Sequence, residues 1–180
     1  MLRYIIILYF ILSFQTLGNN VLFEDFNTNP ESRWEFISDQ VMGGVSVGQI
    51  EFLVDRDKTY ARMTGNVSTE NNGGFIQFRR KLIQTIDEDS NGIRIEVRGN
   101  IEEYFIHIRT AGTILPWQYY QAPFLAKNNW QYIKVPFNKF KRSGIMLSKI
   151  LSPDSIKSIA IVAYGKEHKA VVDINIIEIY

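Results

Sequence analysis

Gly92-Ile93-Arg94-Ile95-Glu96-Val97-Arg98-Gly99 is followed closely by Tyr104-Phe105-Ile106-His107-Ile108-Arg109. In the first stretch Ile93, Ile95 and Val97 alternate with Arg94, Glu96 and Arg98. In the second, Tyr104, Ile106 and Ile108 alternate with Phe105, His107 and Arg109. A period of two with apolar residues on one side marks a half-buried β-strand, because successive side chains leave opposite faces. The same reading extends outward to residues 21–26, 45–54, 60–67, 74–82, 118–124, 131–135, 158–164 and 171–179. Turn clusters such as Asn71-Asn72-Gly73-Gly74, Asp89-Ser90-Asn91-Gly92 and Lys127-Asn128-Asn129 separate them. No segment of helical length carries a 3.6-residue stripe. The best helical turn is Ser152-Pro153-Asp154-Ser155-Ile156, with Ser152 placed to cap and Pro153 at the first helical position. The prediction is an all-β chain, a two-sheet sandwich of the jelly-roll type.

Composition narrows the chemistry. The chain has 180 residues and no cysteine, which excludes disulfides, zinc–thiolate sites and cysteine nucleophiles. With only His107 and His168, a three-histidine metal site is excluded too. Twenty basic residues against nineteen acidic ones leave no excess charge of the kind nucleic acid requires. Arg3, the apolar run 5–14 and the small residues Thr16 and Gly18 read as a signal peptide over residues 1–18. This predicts a single domain over residues 19–180, periplasmic or secreted. The alternative is a chain anchored to the membrane by residues 2–17, and membrane contact is expected only if that segment is uncleaved.

Gly44-Val45-Ser46-Val47-Gly48 matches the G-x-S-x-G pattern of a hydrolase nucleophile. That pattern needs a strand before the serine and a helix after it. Here a strand follows, so no catalytic role is assigned to Ser46. The acidic clusters at 87–89 and 102–103 sit in a turn and at a strand start, where carboxylates are ordinarily solvated.

If the strands of the two opening stretches pair, Arg94, Arg98, His107 and Arg109 share one polar face. Trp117, Tyr119 and Tyr120 would flank it. Such a face is either ordinary solvated sheet or a site for sugars or peptide segments. Substitutions there are expected to weaken binding and leave stability almost unchanged. Asp25, beside Glu24 in the first strand, and Asp173 in the last could share a structural Ca²⁺, the one cofactor considered.

Two further strings are more specific. Ser38-Asp39-Gln40-Val41-Met42-Gly43-Gly44-Val45-Ser46 and Glu70-Asn71-Asn72-Gly73-Gly74-Phe75 resemble the signature of the complex I intermediate-associated protein family. The similarity continues through Val97-Arg98-Gly99, Tyr104, Trp130, Val135-Pro136-Phe137 and Phe140. The chain has Gly99-Asn100-Ile101 where the family often has G-D-G. The resemblance implies a galactose-binding-like jelly roll and a role in assembly or chaperoning of a protein client without catalysis. A secreted carbohydrate-binding module is the alternative. Read from the residues themselves, the strings are turns, with Gly43, Gly44, Gly73 and Gly74 free to take positive φ and Asp39 and Asn71 able to bond turn amides. They are either structural turns packed on each other or parts of a ligand site.

Overall fold

A computed structural model of the chain describes residues 20–180. The predicted signal peptide lies outside the described residues. Twelve strands follow one another: β1 (Val21–Glu24), β2 (Trp34–Ser38), β3 (Val47–Asp55), β4 (Lys58–Val67), β5 (Phe75–Lys81) and β6 (Gly92–Gly99), then β7 (Glu102–Thr110), β8 (Tyr120–Ala126), β9 (Gln131–Pro136), β10 (Lys141–Arg142), β11 (Ile156–Tyr164) and β12 (His168–Ile179). They form two antiparallel sheets. The first runs β3-β4-β12-β6-β9 with β1 added on β12, and the second runs β10-β8-β7-β11-β5-β2. Short 3₁₀ turns are the only helical elements among the described residues, one of them at Pro153–Ser155 as predicted, although the Ser152 side chain does not cap it.

The alternation becomes burial directly. Ile93, Ile95 and Val97 of β6 and Tyr104, Ile106 and Ile108 of β7 are all fully enclosed between the sheets. Ile159 and Ile161 of β11 meet Val172, Ile174 and Ile177 of β12 in the same core. Each such side chain contributes roughly 1.5–3 kcal/mol on burial.

The pairing of the two opening stretches differs from the expectation. β6 pairs with β12 and β9, whereas β7 pairs with β8 and β11. Asn100 and Ile101 between them arch from one sheet to the other, with Ile101 at φ 63°. The backbone groups of the arch are satisfied across both sheets: Asn100 N donates to Val171 O (3.2 Å) and Ile101 N to Ala126 O (2.9 Å). A two-residue connection can be a hairpin or an arch, and the alternation of the flanking strands is the same in both.

β2 was not among the predicted strands. Its Trp34 packs on Phe26 and Phe78 with ring centroids 5.6 and 5.1 Å apart. The indole N–H donates to buried Glu24 (2.8 Å). Arg80 (2.7 Å) and Arg33 (2.9 Å) pair with the same carboxylate. Burial pushes the Glu24 carboxyl up, but the bonds from Arg33, Trp34 and the Phe26 amide outweigh it and hold it below the usual range. Glu24 thus ties the end of β1, in the first sheet, to β2 and β5 at the edge of the second.

Candidate functional site

The two glycine strings meet around Asp39. Its carboxylate is completely enclosed and accepts bonds from Ser46 N (2.9 Å), Ser46 Oγ (2.5 Å), Gly74 N (2.6 Å) and Phe75 N (3.3 Å). Burial drives the Asp39 carboxyl upward, and the Ser46 hydroxyl with the three amides more than reverses this, so it stays below the ordinary carboxylate range. Ser46 Oγ also accepts from Ser68 N (3.0 Å). Ser46 is wholly buried and its hydrogen-bond partners include no histidine, so it serves as a fastener.

The glycines are needed for two separate reasons. Gly43 and Gly74 take positive φ, 91° and 127°. Gly44 and Gly73 do not, contrary to the expectation for all four. A β-carbon on either would instead overlap the Asp39 carboxyl group. Asn71 takes the left-handed region at φ 56° inside the turn Glu70–Asn72. Met42 is exposed beside the clip and Phe75 begins β5. The family strings are structural turns packed on each other.

The predicted polar face is divided between the sheets, because β6 and β7 belong to different ones. Arg94 and Arg98 stand on the outside of the first sheet. There Arg98 Nε donates to Asp173 (2.7 Å), and Arg62 donates to both oxygens of that carboxylate (2.7 and 2.8 Å). The Arg98 guanidinium lies over Trp130 (4.6 Å) and Tyr60 (5.1 Å). Arg94 pairs with Glu178 and lies over Tyr132 (4.7 Å). This face is a closed network in which every named charge is engaged. Asp173 is consequently occupied by two arginines, while Asp25 bonds Asn27 in the loop after β1. The two aspartates are not brought together, and no group of three metal-binding side chains occurs among the described residues.

His107 and Arg109 stand on the outside of the second sheet. Tyr120 does not join them: it is buried, turned inward, and donates to Ser148 O (3.0 Å). Its neighbour Tyr119 points outward and stacks on His107 at 4.1 Å and 10°. Phe105 and Tyr164, which the face prediction omitted, complete a four-ring cluster, with Tyr164 edge-on to Phe105 (6.0 Å) and to His107 (5.9 Å). Cross-strand register could have found Tyr164 only once β11 was known to lie beside β7.

Between the rings on β7 and the polar side chains on β5, the central strand β11 presents Ser158, Ala160 and Val162, all buried although they face outward, before Tyr164 ends the strand. Larger neighbours wall them in, so this face is a trough with a floor of small side chains. Gln77 and Arg79 form one wall, paired across β11 with Val162 and Ala160. Phe105, His107 and Gln121 form the other. Two buried polar atoms there, His107 Nε2 and Gln121 Oε1, have no partner among the described residues beyond each other. Burial pulls the His107 imidazole down to about 4, opposed by hydrogen bonding with the Gln121 side chain, so it is neutral at neutral pH. Arg109 is fixed by the carbonyls of Pro116 (2.8 Å), Thr113 and Leu115 (both 3.0 Å), which shape the loop carrying exposed Trp117.

The chain is a two-sheet jelly roll with polar and aromatic side chains gathered on one sheet. Solved structures agree on the fold. The chain is similar to the family 11 carbohydrate-binding module of the cellulosomal cellulase Lic26A-Cel5E of Clostridium thermocellum (15% identity, TM-score 0.74), covering 89% of this chain and 94% of that one. It is also similar to a family 30 carbohydrate-binding module (13% identity, TM-score 0.53, covering 76% and 91%). An exo-beta-agarase shares the fold over 90% of this chain and 25% of its own (11% identity, TM-score 0.57). No curated protein matches the chain. Residues 23–174 match the family of Complex I intermediate-associated protein 30 (CIA30), and the chain belongs to that family. At the departure from the family pattern, Asn100 accepts from the Tyr104 hydroxyl (2.7 Å) and donates to Lys169 O (2.7 Å), which braces the arch between the sheets.

Proposed function

We propose that this protein is a non-catalytic binding module whose client is another protein, held along the trough of the second sheet. The observation that carries this reading is the buried pair His107 Nε2 and Gln121 Oε1, with no partner beyond each other, set beside four rings on the trough's wall. Buried polar atoms with poorly met hydrogen-bonding capacity are costly, and a partner's amide or carbonyl in the trough would satisfy them more fully. Tyr119 and His107 cover each other's faces, which leaves ring edges outward and suits a polypeptide better than the flat face of a sugar ring. Membership of an assembly-factor family supports the same client class.

A glycan is the second reading. One solved neighbour of this fold is a family 11 module in complex with a beta-1,3-1,4-mixed-linked tetrasaccharide. Fold alone does not transfer a ligand. The test is affinity capture from the native envelope with wild type and Gln121→Ala, beside a glycan array. A captured protein lost in the variant is the expected result. Array binding that Tyr164→Ala abolishes, with no protein captured, would replace the client by a glycan. The proposal includes export with cleavage near Asn19, and mass spectrometry finding Met1 on a soluble cytoplasmic form would refute that part.

A further inference from the structure

A second surface is independent of the trough. Two loops, residues 111–119 and 143–152, emerge together at the end of the sandwich where β7 finishes and β8 and β11 begin. They are stitched to each other: Ser143 N donates to Tyr119 O (2.8 Å), Tyr119 N to Ser143 Oγ (3.0 Å), and Ser143 Oγ to Trp117 O (3.1 Å). Arg142 holds the carbonyls of Ile145 (3.0 Å) and Leu147 (2.6 Å), and Leu147 and Leu151 are buried as plugs. The loops are therefore braced at their bases.

Their tips are apolar. Ile145 is 88% exposed, Ile114 83%, Met146 80%, Ile150 79% and Trp117 63%. Exposure this high means that the side chains stand away from the protein as separate prongs, where a flat interface would leave them half-covered. Exposed Lys139 and Lys141 precede the second loop and exposed Lys149 lies within it, and none forms an ion pair with a described residue. From Tyr104 to Pro153 the sequence contains no aspartate or glutamate, although the whole chain is nearly neutral. The exposed Asp154 just beyond is bonded by the Ser152 hydroxyl. The acidic turn at 87–89 joins the end of β5 to the start of β6 at this same end of the sandwich, with β11 and β7 lying between β5 and β8.

The described chain also begins at this end. Val21 pairs with Ile179, which pairs with Ile93, and the adjoining Gly92 pairs with Pro136, three residues before Lys139.

We infer that these two loops dock the protein peripherally on an anionic lipid surface. The prongs Trp117, Ile145, Met146 and Ile150 enter the headgroup and upper acyl region, while the three lysines stay at the phosphates. Tryptophan favours that boundary, and long basic side chains keep their charge in water while their stems lie along apolar surface. Each lysine near an anionic bilayer strengthens binding about fivefold.

The test uses the chain from Asn19 with vesicles of phosphatidylcholine alone or mixed with phosphatidylglycerol. Sedimentation should show binding to the mixed vesicles only, weakened by salt. Lys139→Gln, Lys141→Gln and Lys149→Gln together should weaken it about a hundredfold. Acyl-brominated lipids should quench the emission that wild type has and Trp117→Phe lacks. Ile145→Ser with Met146→Ser should reduce partitioning without changing the melting temperature, and Gln121→Ala in the trough should leave it unchanged. Equal binding to both vesicle types, or Trp117 emission that brominated lipid does not quench, would overturn the inference. Photo-crosslinks from position 146 to a protein in the absence of vesicle binding would do the same.

Discussion

Replacing Asp39 by alanine removes one acceptor from four donors at once. Two of those donors, the amides of Ser46 and Gly74, lose a buried partner. A buried donor stranded in this way costs about 1–3 kcal/mol, and bonds to a charged acceptor lie at the upper end. Taking about 2 kcal/mol for each amide, and treating the Ser46 hydroxyl as free to turn toward Ser68 O, gives about 4 kcal/mol. For a domain of this size that corresponds to roughly 8–16 °C in Tm. The effect also has a pH signature. The carboxyl's folded value is lowered from an ordinary 3.8, so its stabilisation is fully present above that value and is lost as pH falls through the folded one. The Tm gap between wild type and Asp39→Ala, followed by circular dichroism, should therefore hold steady from neutral pH to about 4 and close in stronger acid. A gap of only about 2 °C at neutral pH, or one that widens in acid, would refute the role given to this carboxylate.

Three other outcomes follow from the geometry. Gly43→Ala meets no neighbouring atom and bears only the strain of φ 91°, about 1–2 kcal/mol, whereas Gly44→Ala drives a β-carbon into Asp39 and should lower Tm further; equal melts would contradict the clip. His107 is held down to about 4, so the unfolded chain takes up this proton first as pH falls; stability should decline from about pH 6.5 toward 4, and His107→Gln should flatten the decline in denaturant titrations. Asp173→Asn weakens the shared partner of Arg62 and Arg98 and should cost about 3 kcal/mol in urea unfolding, with Arg98→Ala also clearly destabilising; near-neutral values would restore the sequence expectation of an unconstrained face.

The strands were legible because both faces of each carry a chemical signal. Ile93, Ile95 and Val97 against Arg94, Glu96 and Arg98 require a half-buried strand whatever its neighbours. Sheet membership carries no such signal. Asn100-Ile101 could turn the chain back within one sheet or carry it across the core. What decides is long-range: Tyr104's hydroxyl receives the Val171 amide (2.8 Å), and β12 fills the position beside β6 that β7 would need for a hairpin. The same ambiguity misplaced Tyr120. Consecutive tyrosines must point to opposite faces, and local sequence does not say which of Tyr119 and Tyr120 goes inward. β2 escaped notice because its five residues acquire meaning from distant Glu24, Phe26 and Phe78.

Dividing the predicted face also separates its chemistry. On the first sheet, arginines from β4 and β6 converge on one aspartate of β12, and aromatic rings cover them; the charges satisfy one another and leave little for a ligand. On the second, Ser158, Ala160 and Val162 of β11 are small where β5, β7 and β8 contribute rings and amides, and His107 Nε2 and Gln121 Oε1 have no partner beyond each other. Both sheets are built from the same alternation, and each keeps some unmet hydrogen-bonding capacity, Glu96 Oε2 on the first and the His107–Gln121 pair on the second, where four rings gather beside it. Free energy for binding comes from groups that gain partners in the complex, since bonds already made in the free protein must be broken before they can be used. The arginine–aspartate network of the first sheet is thus suited to stability, and the trough to the recognition proposed for it. Substituting Arg98 should therefore register in melts, and substituting Gln121 in capture of the client.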